Sequence, residues 1–192
     1  EFVGVEAPEP AHELNVRFDN GVTLMGYDVA GDTLTPGQAT QITWYWHAEE
    51  DLDDSWALFT HVADGTGENR FNQDGVGVVR RIYQPGRWEA GQYIRDVQDV
   101  ELPADWSNPT AVFYLGLWAP PGPHRLAIRS GSNDGENRVR ALEMPVAGGP
   151  TAAVDAPTPQ APTVVRPPPV VVGGAFALLV NVAHLGVVGY FP

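Results

Sequence analysis

Two tryptophans beside predicted turns, Trp88 and Trp106, are the residues of this sequence best suited to hold a ligand. A flat indole ring can stack on the apolar face of a pyranose, and exposed aromatic patches often mark binding sites. Three other tryptophans, Trp44, Trp46 and Trp118, lie within predicted strands, so we expect them to pack in the core. Trp88 and Trp106 are therefore the candidate residues for a carbohydrate platform, should the chain bind sugars.

Two histidines and an aspartate are the nearest approach to acid–base machinery. His47 and His61 lie in neighbouring predicted strands, and with Asp96 they could form a polar cluster. Catalysis needs groups that converge in a cleft, and the sequence contains no serine-hydrolase, zinc-protease or phosphate-loop motif. We therefore predict no catalytic residues and no enzyme activity, with an unrecognised hydrolase as a minor alternative.

The acidic run at residues 49–54 has the ligand type that Ca²⁺ prefers, since this ion takes six to eight oxygens. It lacks the alternating aspartate spacing of a helix-loop-helix calcium site. The acidic segments at residues 64–69 and 133–137 contain Gly and Asn, and hairpin turns account for them. We predict solvated loops at all three places and no metal site.

The last 23 residues, 170–192, form an apolar tail. Residues 170–191 carry no charge, and as a helix they would rise ~33 Å, enough for a hydrocarbon layer of ~30 Å. Small and polar residues share one face of that helix, as in helix contacts within membranes. We predict that this face docks on a membrane partner through Gly173, Ala177, Asn181, His184 and Val188.

His184 is the residue of the tail that could bind a cofactor. An imidazole in an apolar helix is costly unless it pairs or ligates. It could ligate haem iron or the magnesium of a chlorophyll, but Val180 stands where light-harvesting helices place a smaller residue. We favour a hydrogen bond to a neighbouring subunit and predict no cofactor.

The elements that must position these residues are strands. Alternating or β-rich runs occur at residues 14–18, 22–29, 41–47, 56–62, 94–102, 110–118, 125–128 and 139–144. Gly, Pro, Asn and Asp separate them, as tight turns require. No helical period occurs before the tail, so the sequence predicts an all-β, antiparallel sandwich of the jelly-roll or immunoglobulin-like kind.

Period two assigns the faces of two of these strands. Ile42, Trp44 and Trp46 share one face, which we expect to be core. In residues 110–118 both faces are apolar, with Val112, Tyr114 and Trp118 opposite Phe113, Leu115 and Leu117. That strand is predicted to be central or covered on both sides.

Composition divides the chain into four parts: an N-terminal extension 1–12, the sandwich 13–147, a linker 148–169 and the tail 170–192. The linker contains seven prolines, which favour an extended, solvated chain. The net charge of −13 lies entirely before residue 148, and such a surface repels phosphate backbones, so we predict no nucleic-acid partner. There are no cysteines to form disulfides.

An ordered set of short motifs resembles a known accessory domain. The set comprises Phe18 with Gly21, and residues 24–28, 34–37, 43–46, 59–62, 88–91, 94–96, 102–103 and 114–118. It is similar to the β-sandwich at the C-terminus of bacterial membrane glycosyltransferases of the dolichyl-phosphate-mannose mannosyltransferase type, and to related stand-alone proteins. The resemblance spans roughly residues 15–146 and implies an extracytoplasmic β-sandwich with no reaction of its own.

We therefore expect a non-catalytic accessory or scaffold subunit on the periplasmic face of a multi-subunit membrane complex. That complex could be a bioenergetic one, either photosynthetic or respiratory. Its partners would be membrane protein subunits, and the tail would associate it with the membrane. The alternative is a carbohydrate-binding module at the cell envelope. The tryptophans and the resemblance to transferase appendages favour that alternative.

Overall fold

Alternating strand patterns and turn residues produce two antiparallel sheets that pack face to face around an apolar core, which confirms the predicted all-β sandwich. A computed structural model describes residues 2–53, 55–67 and 69–148, with residues 69 and 70 described by their backbone alone. The tail lies outside the described residues. The docking role of Gly173, Ala177, Asn181, His184 and Val188, and cofactor ligation by His184, therefore stay predictions.

Ten strands, one short helix and one 3-10 turn make up the described chain. They are β1 (Val3–Gly4), β2 (His12–Phe18), β3 (Val22–Val29), β4 (Ala39–Ala48), β5 (Ala57–Ala63), β6 (Asn69–Asn72), α1 (Val78–Ile82), the 3-10 turn Pro85–Arg87, β7 (Tyr93–Glu101), β8 (Thr110–Trp118), β9 (Ile128–Ser130) and β10 (Val139–Pro145). Sheet A has the order β1-β7-β4-β3-β2-β9, and sheet B has the order β10-β8-β5-β6.

Seven of the eight predicted strands occur within two residues of their expected bounds. The eighth, predicted at residues 125–128, is displaced: β9 begins at Ile128, and Arg125 forms only an isolated bridge with Trp118. The short elements β1, β6 and α1 were not predicted, because two to five residues cannot display a period. Among the described helices, none has the length and apolar character needed to cross a bilayer.

The expected core faces are confirmed. Ile42, Trp44 and Trp46 on β4 are each 0% exposed. Strand β8 lies between β10 and β5, and its odd-numbered side chains from Phe113 to Leu117 enter the main core. On its other face Val112 and Tyr114 form a second buried cluster with Ala63. Both faces of β8 are therefore covered, as the sequence predicts.

Candidate binding cleft on the four-stranded sheet

A cleft of about 370 Å³ opens on the outer face of sheet B, and we refer to it as the His61 cleft. Two aromatic side chains, four polar side chains and one Pro-Gly-Pro loop surround it. They are Phe59, His61, Asn72, Asp74, Trp118, Pro121, Gly122, Pro123 and Arg125. Side chains that combine flat apolar faces with donors and acceptors are typical of small-molecule sites.

Strand pairing brings the aromatic walls of the cleft together. Ala57 is opposite Trp118 and Phe59 is opposite Gly116 in the antiparallel register of β5 and β8. A Cβ atom at position 116 would lie 2.6 Å from Cζ of Phe59, so only glycine leaves room for that ring. Gly116 therefore lets Phe59 lie across the sheet beside the cleft.

Asp74 is held in the cleft by the backbone of β5. Beyond β6 the pairing with β5 continues, because the Gln73 N–H donates to the Thr60 carbonyl at 2.7 Å. The Thr60 N–H then donates to Oδ1 of Asp74 at 2.9 Å, so the carboxylate extends the sheet's hydrogen bonding by one position. One oxygen of Asp74 is thereby fixed, which orients the other.

Arg125 closes the cleft from the side of the loop that follows β8. Its Nη1 donates to both the carbonyl oxygen and Oε2 of Glu136, each at 3.2 Å. Its guanidinium carbon lies 5.7 Å from the centre of the Phe59 ring, within cation–π range. These contacts hold the guanidinium beside the cleft and offset its charge with a carboxylate.

His61 forms part of the floor, with its ring centre 4.7 Å from that of Phe59. Burial lowers the pKa of His61, and Arg125 and Arg138 lower it further, while Asp74 acts in the opposite direction. The imidazole is therefore neutral at neutral pH. A neutral imidazole offers one donor and one acceptor, which suits the recognition of hydroxyl groups.

The expected surface position of Trp88 is wrong. Trp88 is 1% exposed, its indole N–H donates to the Tyr83 carbonyl at 2.9 Å, and its ring packs 6.2 Å from that of Trp46. The 3-10 turn before it buries Pro85, and the Trp88 side chain joins the main core cluster. Trp88 is a core residue and offers no face to a sugar.

Trp106 is partly buried against the core and makes an edge-to-face contact with Phe71 at 6.0 Å. Its indole nitrogen is buried. Trp118, expected in the core, lies on the outer face of β8 and lines the His61 cleft. Trp118 is therefore the tryptophan that lines a surface cleft, and Trp88 and Trp106 do not form a shared surface platform.

The predicted polar cluster of His47, His61 and Asp96 is also wrong. His47 lies on β4 of sheet A, where its ring stacks on Tyr93 at 4.4 Å, whereas His61 belongs to sheet B. Asp96 lies between the sheets, fully buried, and accepts a 2.9 Å hydrogen bond from Nε of the equally buried Arg80. The three side chains occupy three separate places.

Sequence reasoning missed Asn72, Asp74 and Arg125 as cleft residues. The Asp74-Gly75 pair was visible as a turn signal, but its bond to Thr60 is a long-range contact. Period two, which groups Trp118 with Val112 and Tyr114, did contain the signal that Trp118 points away from Leu117.

The acidic loops satisfy backbone donors. Asp51 accepts from the Ala90 N–H at 2.8 Å and Asp53 from the Ser55 N–H at 2.9 Å. Asp134 accepts from the N–H groups of Glu136 and Arg138 at 2.8 and 3.2 Å. Within residues 2–53, 55–67 and 69–148, no three His, Asp or Glu side chains are grouped as metal ligands.

Comparison with known proteins gives no match, either to a family model or to a curated protein sequence. The resemblance to the glycosyltransferase accessory domain therefore stays a prediction. The argument for function depends on the geometry of the His61 cleft.

Proposed function

We propose that this chain is a non-catalytic accessory protein of the cell envelope whose sandwich binds a neutral sugar ring in the His61 cleft. The observation that carries the proposal is the position of Trp118 beside four hydrogen-bonding side chains in one half-open cleft. An indole face attracts the C–H groups of a pyranose through its negative π surface. The polar side chains then pair with the ring hydroxyls.

Charge favours a neutral sugar over an acidic one. Asp74 contributes a carboxylate, and Arg125, the cation that could offset a uronic acid, already donates to Glu136. The domain around the cleft carries the whole net charge of −13, which repels anions over a Debye length of about 10 Å at 0.1 M salt. Vicinal hydroxyls of a hexose fit this set of donors and acceptors.

Binding of the full-length chain to neutral and acidic envelope glycans, measured by calorimetry, tests the proposal. We expect binding to neutral glycans, a loss of at least about tenfold in affinity for Trp118→Ala, and a smaller loss for Trp118→Phe, which keeps an aromatic face. Trp106→Ala should bind as the wild type does. The absence of binding to every neutral glycan, or a loss of affinity in Trp106→Ala but not in Trp118→Ala, would contradict the proposal.

His61 and Asp74 are also the residue types of an acid–base pair, so the hydrolase alternative stays a prediction. The same calorimetric samples should be analysed for released sugars after prolonged incubation. We expect intact glycan. Hydrolysis that is lost in Asp74→Asn would show that the protein is a hydrolase and not a non-catalytic binding module.

The expected role as a subunit of a membrane complex is a second hypothesis, and it depends on the tail. Pull-down from detergent-solubilised membranes with the full-length chain and with a chain ending at residue 148 tests it. A partner that requires residues 149–192 would support that role. Identical, partner-free elution of both chains would remove it and leave glycan binding unaffected.

A further inference from the structure

Two arginines that pair with none of the described carboxylates line one cavity on the opposite side of the core from the His61 cleft. Nine arginine side chains lie within the described residues, and six of them form ion pairs: Arg17, Arg80, Arg125, Arg129, Arg138 and Arg140. Arg81, Arg87 and Arg95 form none with the described carboxylates. In a domain with so many acidic residues, unpaired arginines in one cavity call for a ligand.

The cavity containing Arg81 and Arg95, which we refer to as the Arg81 cavity, has a volume of about 580 Å³. It lies where β7 continues past the end of β1, since β1 pairs only with Tyr93 and Ile94. Its other walls are mostly apolar and comprise Phe2, Val76, Val78, Val79 and Val97, with Gly75 and Gly77 between them. Small-molecule sites have this size and this predominance of apolar walls.

Each guanidinium group carries five N–H donors, of which the described residues engage only some. Arg81 uses Nε to donate to the Gly77 carbonyl at 3.2 Å, and no described residue accepts from its terminal nitrogens. Arg95 is within hydrogen-bonding reach of the Tyr45 hydroxyl, which itself donates to Asp28 at 2.7 Å, so at most one of its donors is engaged there. Asp99, the acidic residue of the cavity, accepts instead from the Gln41 amide at 3.1 Å.

Exposed apolar surface continues the cavity outward. Val78 is 47% exposed at the start of α1, although valine is a residue type that folding usually buries. An exposed apolar wall beside two cations is typical of a site for an amphiphile, because the anionic head group can pair with the arginines while the alkyl chain contacts the apolar wall. A purely polar anion would leave the valine side chains exposed to water.

We propose that the Arg81 cavity binds a single-headed anionic amphiphile, with its phosphate or carboxylate between Arg81 and Arg95 and its alkyl chain against Phe2 and the valines. Guanidinium groups pair with both head groups through two parallel hydrogen bonds. The net charge of −13 disfavours a polyanion or a densely anionic membrane, and a ligand with one head meets far less of that repulsion. Free amphiphiles are thus favoured over bilayer lipids.

Calorimetric titration of the full-length chain with monomeric dodecyl phosphate tests the proposal, with inorganic phosphate and the neutral, sugar-free octaethylene glycol monododecyl ether as comparison ligands. We expect dodecyl phosphate to bind at least tenfold more tightly than either. Arg81→Gln and Arg95→Gln should each weaken it about tenfold, and the double variant more. Arg87→Gln is the matched control, since Arg87 also lacks a carboxylate partner but donates to the Ile82 carbonyl outside the cavity.

Val78→Asp provides a second variant that does not remove an arginine. It places a carboxylate on an exposed position of the wall, so folding should be kept while dodecyl phosphate binding is lost. Unchanged binding in the double arginine variant, or equal binding of octaethylene glycol monododecyl ether, would overturn the proposal. Binding of neutral sugars should be unaffected by all these variants, which separates this site from the His61 cleft.

Flotation with vesicles containing phosphatidylglycerol distinguishes the two sources of the head group. We expect no flotation that depends on Arg81 and Arg95, together with retained binding of dodecyl phosphate, which identifies a free amphiphile. Flotation that is lost in the double arginine variant would identify a lipid head group as the source of the same chemistry.

Discussion

The sandwich contains two polar pairs of similar residue types, one buried between the sheets and one on the outer surface. Between the sheets, Arg80 and Asp96 form an ion pair in which both side chains are 0% exposed. On the outer face of sheet B, Asp74 and His61 line an open cleft. The inner pair is sealed by the core and can only hold the fold together, whereas the outer pair can meet a ligand. Whether such a pair can meet a ligand therefore depends on its depth in the sandwich more than on its residue types.

Next to the inner ion pair, Gln98 satisfies a set of buried groups. Its Oε1 accepts from Trp44 Nε1 at 2.9 Å and from Thr60 Oγ1 at 3.0 Å. Its Nε2 donates to the carbonyl oxygens of Gln73 and Val76 at 2.9 and 3.0 Å. One side chain thus ties both sheets to the segment that leads into α1.

The largest expected effect is that of Asp96→Asn. The change leaves the buried Arg80 cation without its counter-charge, which should lower the free energy of unfolding by about 3–5 kcal/mol. Urea unfolding followed by tryptophan fluorescence measures it. The double variant Arg80→Met with Asp96→Leu removes both charges and should lose much less stability; an equal loss in both would contradict the account of the inner pair.

Gln98→Leu comes next, because it keeps the volume but removes all four hydrogen bonds. Buried donors and acceptors left unpaired cost about 1–3 kcal/mol each before relaxation, so we expect a net loss of about 2–3 kcal/mol. The same unfolding experiment applies. A loss below about 0.5 kcal/mol, the level of ordinary surface substitutions, would show that Gln98 does not tie the sheets together.

The pH dependence of stability should report on the cleft. The pKa of His61 is lower in the folded than in the unfolded chain because of burial, so the unfolded chain takes up the proton first. The stabilisation is fully present above the unfolded pKa of about 6.5 and is lost as pH falls through the folded pKa. Urea midpoints at about pH 7.5 and pH 5.5 should differ less in His61→Gln than in the wild type. An identical difference would refute this role.

The smallest effect on stability is expected for Asp74→Asn. Asparagine keeps an oxygen that can accept from the Thr60 N–H, so the change should cost less than about 1 kcal/mol. Affinity for neutral sugar should nevertheless fall about tenfold, since one acceptor toward the ligand becomes a donor. Asp99→Asn, on the outer face of sheet A, is the control and should leave sugar binding unchanged.

Strands and core faces could be predicted because they depend on local patterns. The alternation in β4 and the glycines and prolines between strands are read within a few residues. The outward position of Trp118 also follows from this alternation, but the burial of Trp88 could not be predicted this way. Trp88 follows a turn that folds into the core, and its burial depends on Trp46 and Tyr83, which only the tertiary fold brings near.

The cleft's polar residues were hidden for the same reason. Asp74 lies in a turn sequence, and only its 2.9 Å contact with the Thr60 N–H gives it a place beside His61. Arg125 was assigned to a strand that begins later, at Ile128. Cleft residues contributed by β5, β6, β8 and two loops share no sequence period, so local patterns predict the scaffold and not the cleft.

Titration of ¹⁵N-labelled full-length chain with a neutral glycan tests the cleft most directly. The indole N–H signal of Trp118 should shift, together with backbone amides at His61, Asp74 and Gly122. The indole signals of the buried Trp44, Trp46 and Trp88 should stay in place. Shifts centred on Trp106, or none at any glycan concentration, would contradict the assignment of sugar binding to the His61 cleft.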